Sequence, residues 1–262
     1  MTEIRVDPLT GLRAIIADHP LLSADSPDPP PREDPSLFTA LAARGAHELI
    51  ANGPARTLAE LSVEQACAAL DTWRERMLEH DGAAYVHVGV DELAVAQEDS
   101  QAELLAFGFV PVEVARERER FSAHAVRTMG ANLLEDLVGE EVRRRERIVA
   151  IDDEAVLMCP YASRHPFALM LAPRRRRDRF QDDGATGAAL LHKGLTLLRA
   201  RFGSGPPLSL WVRSAPRGAE RFCWHIDVVP RLSEVAGLQL GTGLAHNPVA
   251  PEQAAAELRA LL

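Results

Sequence analysis

The chain has 262 residues, three cysteines and a formal net charge of -9 at pH 7, and at this length one large domain, or two small ones sharing a core, buries roughly three quarters of the unfolded surface without disulfides. The acidic balance excludes polyanion binding by the surface as a whole, so no nucleic acid partner is expected. No stretch approaches the roughly 20 apolar residues that span a bilayer, the opening residues Met1 to Pro8 carry no apolar signal core, and widely spaced cysteines without a Cys-x-x-Cys pair predict a reducing cytoplasm.

In chain order, Arg5 to Ala17 reads as a turn across Asp7 to Gly11 that runs into an apolar strand. Residues 21–36 are rich in proline and acid, which predicts a mobile surface loop or linker. His47 to Ala51 reads as a short strand. Ser62 and Gln65 then form a capping-box start, and the helix it opens carries Val63, Ala66, Leu70, Trp73 and Met77 on one face as a core stripe. Ala84 to Val90 returns as a strand. The second half repeats this order, with a strand from His165 to Pro173, a helix from Thr186 to Phe202 and a strand from Leu208 to Arg213. Val110-Pro111 and Val229-Pro230 close the two halves. The landmarks His47 and His165, Pro54 and Pro173, and Pro111 and Pro230 fall at nearly constant spacing, the mark of a domain-sized duplication rather than a solenoid. Two strand-helix-strand-strand halves with short connections predict an α+β fold, an antiparallel sheet with packed helices, divided as 1–125 and 126–262. Pro251 and Glu252 signal a final helix whose buried face is Ala254, Leu258 and Leu261.

The run Phe222-Cys-Trp-His-Ile-Asp-Val-Val-Pro-Arg-Leu232, with Ala236-Gly-Leu-Gln-Leu-Gly-Thr-Gly243 and Asn247-Pro-Val-Ala-Pro-Glu252 after it, carries more information than any other segment. It resembles the last strand and following turn of the galactose-1-phosphate uridylyltransferase family, to which ADP-glucose phosphorylase is similar. The resemblance is strong from Glu141 to Leu262, weaker from Gly45 to Pro111, and includes the opening strand. It implies two tandem histidine-triad-like halves, nucleotidyl transfer through a covalent histidine intermediate, and a homodimer whose neighbouring subunit completes the site.

The family nucleophile is the second histidine of a His-x-His-x-Gln motif that runs into a strand ending Phe-Val-Pro. Neutral imidazole attacks phosphorus and leaves once protonated. The gapless match is Asp99-Ser-Gln-Ala-Glu-Leu-Leu-Ala-Phe-Gly-Phe-Val-Pro111, which sets Asp99 at the first histidine, Gln101 at the nucleophile and Glu103 at the glutamine. A slide of two residues puts Asp99 at the nucleophile instead. In either register no histidine stands there, and an amide at Gln101 cannot form a useful phosphoramidate. Glu103 repels phosphate unless protonated or metal-bound. Upstream, Gly89 to Glu98 stands for a glycine-rich phosphate loop and is acidic, the reverse of what a phosphate cradle needs.

The resemblance also implies a metal site, here Glu141, Arg213, Cys223 and His225. Carboxylate, thiolate and imidazole are zinc donors, but the Arg213 cation takes the fourth corner, so no metal or other cofactor is expected and Glu141, Cys223 and His225 remain weak candidates. His225 and Asp227 share a strand face and read either as an acid–base pair or as a structural hydrogen-bonded pair. The basic runs Arg143 to Arg145 and Arg174 to Arg179 read either as a site for a phosphorylated ligand or, the reading preferred, as solvated turns that offset nearby acids. Three readings follow. The chain is a uridylyltransferase-like protein that has lost histidine-based transfer and binds a nucleotide, sugar phosphate or other small metabolite between its halves; or an enzyme whose Asp99, Gln101, Glu103, His225 and Asp227 line the old pocket for other acid–base chemistry; or a non-catalytic partner of an active paralogue.

Overall fold

The computed structural model describes residues 2–17, 46–92, 100–203, 206–232 and 237–262. Its first part comprises β1 (Thr2–Val6), β2 (Arg13–Ala17), β3 (His47–Ala51), α1 (Val63–Glu79), β4 (Tyr85–Glu92), β5 (Gln101–Phe107), α2 (Val112–Arg127) and α3 (Leu133–Arg144). There follow β6 (Ile148–Ile151), β7 (Ala155–Met158), β8 (Leu169–Pro173), α4 (Ala188–Phe202), β9 (Leu208–Arg213), β10 (His225–Pro230), α5 (Gly237–Thr242), β11 (Ala245–Asn247) and α6 (Pro251–Arg259). The loop expected over 21–36 and the residue Asp99 lie outside the described residues.

Eight strands form one antiparallel sheet in the order β3-β5-β4-β9-β10-β8-β7-β6. The order reads outward from the β4–β9 contact in the same way on both sides, β5 then β3 on one and β10 then β8 on the other, so the duplicated halves meet edge to edge. A smaller sheet pairs β1 with β2 antiparallel and β2 with β11 parallel. Among the described residues no helix is long and apolar enough to cross a membrane.

The alternation of the strands decides which face is dry. Val86, Val88 and Val90 of β4, Ala102 and Leu104 of β5, Leu210 and Val212 of β9, and Ile226 and Val228 of β10 face α1 and α4 in one continuous core, because alternate residues of a strand point to the same side. Ser62 opens α1 with the expected capping box. Ala66, Leu70, Trp73 and Met77 are buried, whereas Val63, at the first helical position, is 40% exposed because its side chain precedes the packed turn. On the opposite face a second core, around Phe121, Leu134, Val138, Met158, Met170 and Phe222, joins α2 and α3 to the strands of the second half. Thus α2, which runs across the expected boundary at residue 125, packs among elements of the second half.

Several boundaries differ from expectation. Gly89 to Glu92 extend β4 instead of opening a loop: Asp91 accepts from Ser209 Oγ at 2.6 Å and pairs with Arg231, and Glu92 accepts the Leu58 N–H at 2.6 Å. Val110-Pro111 does not match Val229-Pro230 structurally. The latter closes β10 inside the sheet, while Gly108 ends β5 and Pro111 caps the start of α2. Arg143 and Arg144 end α3 rather than a turn, where cations favour the helix dipole. Residues His165 to Ala168 form a loop before β8, and that loop lines the candidate site.

Candidate functional site

A pocket of about 240 Å³ opens on the face of the sheet opposite α1 and α4, between the β1–β2 turn, the start of α2, the loop 160–165 and strands β8, β9 and β10. Each wall has a local cause. The turn is closed by Asp7, whose N–H donates to the Leu12 carbonyl and whose carboxylate accepts from Leu9 N–H and the Thr10 hydroxyl. The loop 160–165 is fixed from behind by Asn247, whose side-chain NH2 donates to the carbonyls of Ser163 and His165 at 3.0 and 3.1 Å. From the floor rise Trp211 and Arg213 of β9 and His225 and Asp227 of β10, with Arg213 directly across from His225 and Trp211 across from Asp227.

The centre of the pocket is a set of buried charges that are incompletely paired. Glu117 is 2% exposed, and its Oε2 lies 3.3 Å from Arg213 Nε, yet neither atom makes a hydrogen bond of acceptable angle. Burial, outweighing the attraction of Arg213, pushes the Glu117 carboxyl up to about 8. Burial works against the Arg213 cation, but Glu117, with Tyr85 and Asp227, raises its pKa and keeps it charged. Burial also raises Asp227, to about 6, and lowers His225, first through desolvation and then through Arg213, to about 3. His225 is therefore neutral, 1% exposed, and its Nδ1 has no partner. Its Nε2 lies 3.6 Å from Asp227, ion-pair range rather than a hydrogen bond. Trp211 Nε1 and Arg164 Nε are buried without hydrogen-bond partners at the same pocket.

The residues expected to carry chemistry do not all meet here. His225 and Asp227 line the pocket. Gln101 begins β5, exposed, opposite Ala51 of the edge strand β3. Glu103 faces His47, whose Nε2 lies 2.8 Å away. The cross-strand row Glu103, Gly89, Trp211, Asp227 separates the two carboxylates by three strand spacings, about 14 Å.

The metal candidates are dispersed. Glu141 accepts three hydrogen bonds from Arg147, at 2.8 to 3.1 Å. Cys223 sits in the second apolar core, where burial pushes its thiol up to about 12, far from the thiolate that a metal requires. Arg213 sets a cation beside His225. Among the described residues no three His, Cys, Asp or Glu side chains lie together at metal-binding distances, and this donor set does not fit a metal.

Glu117 and Arg164 escaped the reading of the sequence, and the turn across Asp7 to Gly11 was legible as a turn but not as a wall of the pocket. For Glu117 a signal existed: Val114, Phe121 and Ala125 form a buried helical stripe around it, and an acid on an apolar stripe either has a buried partner or a task.

The fold is that of two histidine-triad-like halves in one α+β chain, and the comparisons with known proteins place it further. No family model matches the chain. It is 28% identical to galactose-1-phosphate uridylyltransferase of Rattus norvegicus over 97% of this chain and 72% of that protein, and 22% identical to ADP-glucose phosphorylase of Arabidopsis thaliana over 97% and 75%. Among solved structures, a GalT-like protein from Arabidopsis thaliana superposes with a TM-score of 0.81 at 20% identity, covering 99% of this chain and 98% of that one. An ADP-glucose phosphorylase from the same plant with bound ADP-glucose gives 0.80 at 19% identity, covering 99% of each. The curated homologues of this chain thus include galactose-1-phosphate uridylyltransferases and an ADP-glucose phosphorylase.

Proposed function

We propose that the chain binds a small polar metabolite in the pocket beneath the β1–β2 turn and does not transfer a nucleotidyl group through histidine. The observation that carries this reading is that five residues with an unpartnered buried polar atom, Glu117, Arg164, Trp211, Arg213 and His225, line one concavity. Buried polar groups are otherwise almost always satisfied, so such a concentration marks a place where a ligand completes the hydrogen bonding. The stretch that the resemblance makes catalytic supports the second half of the proposal: Gln101 and Glu103 supply no imidazole, and the neighbouring His47 is engaged by Glu103. The names of the relatives suggest a nucleotide or sugar phosphate as the ligand. At about 240 Å³ the pocket falls below the ~300–1,000 Å³ typical of drug-sized ligands, which favours a metabolite smaller than a nucleotide sugar.

The test is incubation of the full chain with UDP-glucose and ADP-glucose labelled in the nucleotide, read by intact mass and by product release. The expected result is an unmodified chain and no sugar phosphate; a nucleotidyl adduct overturns the proposal.

A second reading keeps acid–base catalysis in the same pocket. It is favoured by two neighbouring carboxyls with pKa values raised to about 8 and about 6 beside a neutral imidazole, since groups that titrate near neutrality serve as general acids and bases. Its mark is turnover of a pocket ligand that Glu117→Gln abolishes without loss of binding.

A further inference from the structure

We infer that the pocket receives a small zwitterion, a molecule with a primary ammonium and a carboxylate in the manner of an amino acid, rather than a phosphate ester. This rests on the reading that the pocket is the working site, and it comes from which groups remain uncommitted inside it.

Four carboxylates and two guanidinium groups line the pocket. Two of the acids are already occupied. Asp7 caps its own turn, and both oxygens of Glu113 lie 3.3 Å from Arg116 Nη1. By itself the pocket holds Glu117 protonated; an ammonium group entering beside it releases that proton to solvent, and what then faces the cavity is balanced, Glu117 and Asp227 against Arg164 and Arg213. The unpartnered atoms have two opposite characters. Glu117 Oε2 and His225 Nδ1 are acceptors, the latter when the ring proton sits on Nε2 toward Asp227; Arg164 Nε, Arg213 Nε and Trp211 Nε1 are donors.

A ligand with only donors or only acceptors leaves one set unsatisfied, at a cost of about 1–3 kcal/mol for each stranded buried group. A zwitterion meets both sets with charge-assisted bonds, which are roughly twice as strong as neutral ones. Its ammonium group donates to Glu117 and His225, and its carboxylate accepts from Arg164 and Arg213. A phosphate monoester instead sets close to two negative charges beside Glu117 and Asp227.

Shape agrees with charge. The apolar part of the wall, from Leu9, Leu12, Met170 and Val229, suits a short aliphatic side chain, and the Trp211 ring offers a face to methylenes or to the ammonium. The volume of about 240 Å³ lies below the ~300–1,000 Å³ typical of drug-sized ligands, in keeping with a molecule the size of a single amino acid.

The three tryptophans supply the readout. Trp73 Nε1 donates to Asn52 at 2.8 Å and Trp224 Nε1 to Asp183 at 2.8 Å, whereas Trp211 Nε1 is unpartnered and at the pocket. In a nitrogen–proton correlation spectrum the Trp211 indole signal is assigned with Trp211→Phe, and the full chain is titrated with glycine, β-alanine, L-valine and L-leucine. N-acetyl-leucine, glucose 1-phosphate and inorganic phosphate form the opposing arm. The expected result is a saturable shift of the Trp211 signal with at least one zwitterion at millimolar or lower concentration and none with the anions. Replacing the Glu117 carboxylate in Glu117→Gln weakens that binding about tenfold or more. If this variant does not fold, as the Trp73 and Trp224 signals report, Asp227→Asn serves in its place. A shift with glucose 1-phosphate or phosphate but not with the zwitterions overturns the ligand class and leaves the pocket standing. Silence of Trp211 toward every zwitterion overturns the inference outright, and a nucleotidyl adduct in the mass experiment overturns the reading beneath it independently.

Discussion

Glu117→Gln changes one charge and almost no volume, and its effect on stability has a direction fixed by the pocket. The folded-state carboxyl sits at about 8 against an ordinary 4.5, chiefly because it is buried. An acid whose pKa is raised by folding stabilises fully below its unfolded pKa, and this contribution is lost as pH climbs through the folded value. Between those limits the unfolded chain ionises while the folded one holds its proton. The slope is at most about 1.4 kcal/mol per pH unit, a ceiling near 5 kcal/mol across the window. Glu92, raised by burial to about 7, acts in the same direction. His225 and His87, lowered mainly by burial to about 3 and about 4, act in the opposite direction, their stabilisation growing with pH and complete above 6.5. The cleanest interval therefore lies from 6.5 to about 8. Glutamine mimics the neutral acid at every pH, so the variant loses the Glu117 share of the slope. Urea unfolding of both proteins at several pH values, with unchanged m, isolates that share. Wild type is expected to lose stability relative to Glu117→Gln as pH rises through this interval. Parallel profiles refute the claim that Glu117 is protonated in the folded pocket.

Arg147→Ala strands Glu141, which is 7% exposed, and frees Glu252; breaking a buried pair of this kind costs about 3–5 kcal/mol, measurable as a lower urea midpoint, and a loss below 1 kcal/mol contradicts the pairing. Gly194→Ala places a Cβ 2.8 Å from a Leu157 methyl under α4 and is expected to destabilise by about 1–3 kcal/mol. Gly139→Ala, inside α3 with nothing within 4 Å, is expected to stabilise by about 0.5–1 kcal/mol, so thermal unfolding of the pair should move in opposite directions. Asn247→Ala removes both donors that hold the 163 and 165 carbonyls and the acceptor for Val249 N–H; about 1–3 kcal/mol of stability should go together with a displaced Trp211 indole signal, and an unmoved signal argues that the loop holds its place without Asn247.

Much of the fold was legible because it depends on local alternation and punctuation. The capping box at Ser62, the returning strand after α1 and the Pro251 start of α6 are short-range events, and the repeat of strand, helix and strand predicted an antiparallel sheet with packed helices. The run ending Asn247-Pro-Val-Ala-Pro-Glu252 turns out to be mechanical. Asn247 pins the 163–165 loop, and Glu252 joins Arg5 at 2.9 Å and Arg147 at 2.6 Å, with Tyr161 lying between the two guanidinium groups at 4.6 and 5.0 Å. Less legible were α2 and α3. Their charged faces hide narrow apolar stripes, and they pack across the boundary between the halves rather than within a repeat.

The site resisted reading for a different reason, since its parts are gathered by topology from five separate segments. Similarity to the uridylyltransferases directed attention to Gln101, opposite Ala51 of the edge strand, and to Glu103, which the sheet carries about 14 Å from Asp227. The same similarity marked Arg213 as a misplaced cation in a metal site, and that clue points to the pocket once its electrostatics are followed through. A guanidinium group on the strand facing His225 lowers the imidazole's affinity for protons and for cations alike, so the position calls for an acid rather than a metal. Glu117 supplies it from α2, a helix outside the strand repeat, and does so imperfectly, 3.3 Å away and off angle. Glu141 is bonded to Arg147 and Cys223 lies in the apolar core, so each of these candidate donors has a separate packing partner. The Glu117–Arg213 pair is left incompletely bonded and belongs to the lining of the cavity, which is why the proposed ligand is set there.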